Sequence, residues 1–98
     1  PVCFYGHTHV PRVFIRGSKV QEVPAETIKI DPSKKYFINT GSVGQPRDGD
    51  WRASYCIYDM DHKMVIFRRV EYNLELAQKK IIDAGLPESL AERIGVGR

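Results

Sequence analysis

The stretch Phe4-Tyr5-Gly6-His7-Thr8-His9-Val10-Pro11-Arg12, "FYGHTHVPR", decides how the rest of this chain is read. A short apolar and aromatic run ends in glycine, and two of the chain's three histidines follow one residue apart. Residues 2–5 suit a buried strand, and Gly6 to Pro11 suits a loop leaving it. Gly6 permits an unusual backbone turn, and Pro11 stops the segment from continuing as a central strand. If the backbone stays extended, His7 and His9 project to the same side. Neutral imidazole is a common metal ligand and also suits general acid–base work. Two such ligands do not complete a zinc-type site, which takes at least three from the protein.

Outward from that point the period of the chain is two. Val13 to Arg16 and Lys19 to Val23 flank Gly17-Ser18, a two-residue hairpin signal. Thr27 to Ile30 alternates polar and apolar before Asp31-Pro32-Ser33 ends it, and Tyr36 to Asn39 is a further short strand. Ala53 to Asp59 and Lys63 to Val70 read as a hairpin turning at residues 59–62, which leaves His62 as a solvated surface residue. After residue 72 the period becomes helical. Leu74, Ala77, Ile81 and Ala84 form a stripe broadened by Ile82, with Asn73 as N-cap and Gly85 as stop. A second, shorter helix has Pro87 near its start and Gly95 after it. The one-sided stripe implies that the helices cover a sheet face.

Between strands lies Asn39-Thr40-Gly41-Ser42-Val43-Gly44-Gln45-Pro46-Arg47-Asp48-Gly49-Asp50-Trp51-Arg52. Its glycines allow backbone N–H groups to converge on an anion, and Arg47 or Arg52 can add bidentate phosphate contacts. It lacks the Gly-Lys-Ser/Thr ending of a P-loop and the spacing of a dinucleotide fingerprint. Trp51 is either a platform for a base or an aromatic plug against the sheet.

Composition sets bounds. The chain has 98 residues, 42% hydrophobic and 28% charged, as in an ordinary small globular domain. A net charge of +3 with no dense Lys/Arg run is weak evidence for a nucleic-acid partner and suits an anionic substrate equally well. No apolar run is long enough to span a membrane. Cys3 and Cys56 lie far apart in strand patterns, so two reduced, buried thiols and a cytoplasmic location are expected. The opening in mid-strand implies a piece of a larger protein.

Gly6-His7-Thr8-His9-Val10-Pro11, followed after a few strands by Phe37 to Arg47, resembles the calcineurin-like metallophosphoesterase superfamily, and within it the small bacterial and archaeal phosphodiesterase branch. The resemblance implies an α+β (α/β) fold: the C-terminal half of a four-layer α/β/β/α sandwich, with mostly antiparallel or mixed strands followed by two C-terminal helices. Residues 1–98 would form the C-terminal portion of one phosphoesterase domain and supply most of one sheet. His7 and His9 would each bind one of two divalent transition-metal ions (Mn, Fe, Ni or Zn). Asn39, Gly41, Ser42 and Arg47 would contact the phosphoester substrate, with Asp48 beside Arg47 at the rim either touching substrate or making a structural ion pair. Thr40 departs from the family, where proline is commoner. The family's Asp-x-His, Gly-Asp and Gly-Asn-His motifs and its protonating histidine lie upstream of Gly-His-x-His. None has a counterpart in that position here, and Gly49-Asp50 reads as a turn, so no catalytic acid is assigned.

The implied function is metal-dependent hydrolysis of a phosphodiester or phosphomonoester, in which two adjacent metals activate water and clamp the attacking and leaving oxygens. The chain alone would be inactive. Its partners would be the missing N-terminal half, a small-molecule or nucleotide substrate and, through exposed strand faces and an unpaired edge, a second copy. The rival reading is a non-catalytic β-rich interaction module derived from the same fold. A third is an unrelated β-rich metal-binding protein.

Overall fold

In a computed structural model the structure describes residues 2–98. Seven strands and two helices follow in order: β1 (Val2–Tyr5), β2 (Arg12–Arg16), β3 (Val20–Val23), β4 (Ile28–Lys29), β5 (Lys35–Asn39), β6 (Ala53–Asp59), β7 (Met64–Val70), α1 (Leu74–Asp83) and α2 (Glu88–Val96). The strands form two sheets, ordered β1-β5-β2-β3 and β4-β7-β6. The expectation that this portion supplies most of one sheet is therefore corrected: it supplies parts of two. The first sheet is mixed, with β1 parallel to β5 and the other pairs antiparallel; the second is antiparallel.

Register explains which side chains meet. Phe4, Ile38, Val13 and Val23 stand in one row across the first sheet, and Val2, Tyr36 and Ile15 in another on the same face. That face packs on Val65, Ile28, Cys56 and Phe67 of the second sheet, with Val13, Ile38 and Val65 fully buried. Burying side chains of this kind stabilises the fold by about 1.5–3 kcal/mol each. The intervening row, Cys3, Phe37 and Phe14, faces outward, and Phe37 is 48% exposed. Tyr5 stacks on Phe37 on that face at 4.3 Å between ring centroids. The outer face thus carries an open apolar groove of about 490 Å³ beside the edge strand β1. Cys3 is exposed rather than buried, because it falls on this outward row. Cys56 is half-buried, and desolvation pushes its thiol up to about 11. Both cysteines are free.

Two turns differ from their sequence signals. Arg16 pairs with Val20, so the β2–β3 connection has three residues, Gly17 to Lys19, where Gly17-Ser18 suggests two. In α2, Gly95 lies inside the helix rather than after it. A Cβ there would sit 2.8 Å from the Gln78 side chain of α1, so this glycine allows close packing of the helices. Gly97, at φ 70°, is the true left-handed cap. Asn73 caps α1 as expected, accepting from the Leu76 N–H.

The helices do not cover a sheet face. They pack on each other, with Gln78 donating to the Ala91 carbonyl, and are anchored on the long loop. The Gly49 N–H donates to the Gly97 carbonyl at 3.0 Å, and Gln45 reaches the Arg98 carbonyl. Any side chain at Gly97 would collide with the Gly49–Asp50 backbone. The stripe residues Ala77 and Ile81 face Val43, Ala53 and Val70 across an apolar cleft of about 410 Å³. Periodicity gives the apolar face of a helix but not its partner, which here is a loop and strand ends.

Candidate functional site

β1 and β5 run parallel in register, Tyr5 opposite Asn39, so the loops that follow them leave the same end of the sheet. Carboxyl ends of adjacent parallel strands are where open α/β sheets gather ligand-binding loops. The first loop carries His7 and His9; the second is the glycine-rich segment 40–52.

The histidine loop is not extended. His7 has φ 76° and His9 φ 62°, both left-handed. The Thr8 N–H donates to the Gly6 carbonyl across His7, closing a γ-turn of the rare positive-φ kind. The premise of two histidines side by side on an extended segment is thereby replaced. The unusual backbone also falls on the histidines and not on Gly6, which has no positive φ. Strain of this sort costs about 1–3 kcal/mol per residue and persists only where surrounding contacts over-determine it.

Those contacts come from Asn39, which is fully buried. Its Nδ2 donates to the Gly6 carbonyl at 3.1 Å and to Thr8 Oγ1 at 2.8 Å, while its Oδ1 accepts from the Gly41 N–H at 2.9 Å. One amide therefore joins the two loops. Gly41 itself has φ 79°, and a Cβ there would lie 2.7 Å from Ser54 Oγ and 2.9 Å from Pro11. Glycine is required for conformation and for space. Ser42 Oγ accepts from the Gln45 N–H, and Ser54 donates its hydroxyl proton to the Thr40 carbonyl. Thr40 thus serves through its carbonyl.

His9 is gripped from the second loop. The Arg47 N–H donates to the His9 carbonyl at 3.1 Å, and His9 Nδ1 lies 2.8 Å from the Gln45 carbonyl. A carbonyl oxygen only accepts, so Nδ1 carries the proton, and in the neutral tautomer this selects, the ring presents its Nε2 lone pair. This is the arrangement by which an outer hydrogen bond fixes a metal-binding imidazole. His9 is half-buried and His7 exposed. The residues present fit a metal at His9 in orientation and tautomer. Among the described residues, however, no group of three or more His, Cys, Asp or Glu side chains converges as a metal site.

Beyond the histidines the loop is held by charge. Asp50 accepts from Arg52 at 3.1 and 2.8 Å, and this contact holds its carboxyl well below the ordinary value, at about 2. Asp48 is paired with Arg69 of β7. Of the two roles weighed for Asp48, the ion pair is the one the structure displays. Arg47 is exposed, its guanidinium donating to its neighbour Gln45 at 3.1 Å. Trp51 meets Tyr72 edge-on at 5.5 Å, as a plug would. His62 lies far along the chain in the β6–β7 turn, 75% exposed and bonded to Asp59. Arg69 was not singled out by its sequence; the signal available was an arginine at the end of a strand next to a loop carrying two aspartates.

Comparison with known proteins places these observations. A solved structure of a metallophosphoesterase from Sphaerobacter thermophilus superposes with a TM-score of 0.84 at 46% identity, covering all of this chain and 42% of that one. The mixed two-sheet, two-helix fold of this chain is thus similar to part of that metallophosphoesterase. An uncharacterized protein of Methanocaldococcus jannaschii is 46% identical over 96 residues, 97% of this chain and 39% of the relative. The chain thus spans about two fifths of the length of the proteins it matches. No family model matches the sequence. No helix of the described residues is long and apolar enough to cross a membrane.

Proposed function

We propose that the protein containing this half-domain is a metal-dependent phosphoesterase, and that residues 1–98 form the C-terminal portion of its catalytic domain. The observation that carries the reading is the His9 ring at the carboxyl end of a parallel strand pair, its Nδ1 tied to the Gln45 carbonyl and its Nε2 without a hydrogen-bond partner among the described residues. His7 and His9 are the donors this chain offers to two divalent transition ions of the Mn, Fe, Ni or Zn class, for which neutral imidazole is suited. Bound metal would supply Lewis acidity toward a phosphoryl oxygen.

The chain's own residues do the rest. Asn39 holds the histidine loop in its left-handed turn and so fixes where both rings start. Gly41 and Ser42 form the floor between the loops, and Arg47 is the exposed cation that meets a phosphoester, a small molecule or nucleotide. No residue here is assigned as general acid. The remaining donors belong to the other three fifths of the relatives' length, and the half-domain alone is inactive. Two free cysteines accord with a cytoplasmic protein.

The test is Mn-dependent hydrolysis of bis-p-nitrophenyl phosphate by the full natural chain. His7→Ala and His9→Ala should each lower kcat/KM at least about 100-fold, in line with the loss of a metal donor, while Arg47→Ala should raise KM more than it lowers kcat. Intact protein that binds no transition ion would overturn the proposal. One observation favours a second reading, a non-catalytic module: the outward row Cys3, Phe37 and Phe14 is an apolar face open to a partner, whether the other half of the domain or a second copy. Apolar patches of this kind mark interaction surfaces.

A further inference from the structure

We infer that Arg69 is a positioning residue for the His9 imidazole. The functional meaning of this inference rests on the reading above; its structural content does not. Arg69 stands near the end of β7, and its side chain is only 18% exposed. Its guanidinium gathers three residues of the 40–52 loop. Nη2 pairs with the Asp48 carboxylate, Nη1 donates to the Arg52 carbonyl at 2.8 Å, and Nε lies 3.8 Å from the Asp50 carboxylate. A planar guanidinium with donors in a fixed fork holds several acceptors in one geometry, which an ammonium on a flexible stem does not.

The contact reaches His9 through a stiff route. Asp48 follows Gln45-Pro46-Arg47 directly, and the Arg47 N–H and the Gln45 carbonyl are the two groups that grip His9. Between them Pro46 is fully buried, with its φ fixed by the ring, and it restricts Gln45 before it. Fixing Asp48 therefore fixes the Gln45 carbonyl, and the Gln45 carbonyl fixes which nitrogen of His9 bears the proton. With its partners Asp48 and Asp50, Arg69 also lines a cavity of about 270 Å³ shared with Pro11, two residues beyond His9, and Ser54. Arg69 touches no reacting group in this arrangement; it acts through Asp48 and Gln45.

The experiment uses the full natural protein, metal-free, labelled with [15N]histidine, at a pH where imidazole is neutral. Two-bond proton–nitrogen correlation spectra report the tautomer of each ring. In the parent protein His9 should be wholly Nδ1-protonated. Arg69→Met should give His9 a mixed tautomer while His62 is unchanged, Arg69→Lys should restore part of the preference, and Co(II) affinity should fall about 10–100-fold. A His9 that keeps its single tautomer in folded Arg69→Met overturns the inference. If Arg69→Met fails to fold, Asp48→Asn keeps the Arg69 bond to the Arg52 carbonyl and should shift the tautomer in the same direction to a smaller extent; no shift in that variant overturns the inference equally. A parent protein that takes up no metal, with the tautomer still lost in Arg69→Met, sinks the phosphoesterase reading and leaves the role of Arg69 standing.

Discussion

Two turns in this molecule hold a histidine and a left-handed non-glycine residue, and they solve the problem in opposite ways. The β6–β7 turn closes on itself: Lys63 takes φ 52°, and His62 bonds Asp59 three residues away through both its backbone N–H and its ring. The histidine loop closes on a distant segment: Asn39, Gln45 and Arg47 reach it across more than thirty residues of sequence. The first turn is a local solution to joining two antiparallel strands, and its histidine sits in solvent. The second stores strain in the backbone of two histidines and holds it with part-buried, long-range bonds. Strain kept in place by residues far along the chain is the mark of a site, whereas strain relieved within four residues is the mark of a connection.

The sharpest way to break this contrast is at Gly41. Gly41→Ala should destabilise the protein by about 3–4 kcal/mol, read as a lowered urea midpoint, because it adds both an unfavourable positive φ and a collision with Ser54 and Pro11. An unchanged midpoint would mean that the two loops are not locked together there. Next comes Asn39→Ala, expected to cost about 2–3 kcal/mol, since three bonds from one buried amide are lost at once. Amide exchange at Thr8 and Gly41 should quicken in that variant before exchange at Ile38 does. Equal acceleration at all three would show that Asn39 supports the core generally and not the histidine loop.

The difference between the turns also shows what was legible in the sequence. Gly-His-x-His and the Asn39–Arg47 segment pointed to the fold, which the superposed metallophosphoesterase bears out. The strands around Val13, Ile38 and Val65 followed from period-two alternation. What was not legible depended on distance. The H-x-H spacing suggested an extended pair, because nothing local announces a γ-turn held from Asn39. The helical stripe of Ala77 and Ile81 announced a buried face without saying that its partner was a loop. Arg69 was invisible because an arginine at a strand end is ordinary until Asp48 and Asp50 fold beside it. Cys3 was misread as buried because four residues are too few to show which face of β1 turns inward.

Acid separates the regions by a smaller effect. Asp50 is held at about 2 by Arg52, below its ordinary 3.8, so its contribution is fully present above that ordinary value and is lost as pH falls from 3.8 through about 2. Asp50→Asn should flatten the stability curve over that window while leaving it unchanged near neutrality in slope. A curve that stays as steep in the variant would assign the acid sensitivity elsewhere, for instance to Asp59, whose carboxyl is also lowered, first by the His62 N–H.

The smallest expected effects belong to the self-contained turn, and they test the comparison from its other side. His62→Ala removes one partner of a solvent-exposed pair, and such pairs contribute little to stability. Its urea midpoint should stay close to that of the parent. Lys63→Gly should stabilise slightly, by a few tenths to about 1 kcal/mol, since glycine adopts φ 52° without steric conflict and loses only chain entropy in exchange. The equivalent change at His9 should relieve strain in the same sense, yet it removes the ring that the Gln45 carbonyl holds, while the Arg47 N–H keeps its bond to the backbone carbonyl of residue 9. If His9→Gly raises stability while abolishing metal uptake, stability and function oppose each other at that residue. If both turns respond alike to glycine and neither affects metal binding, then the long-range grip on His9 is packing alone and the distinction between the two loops disappears.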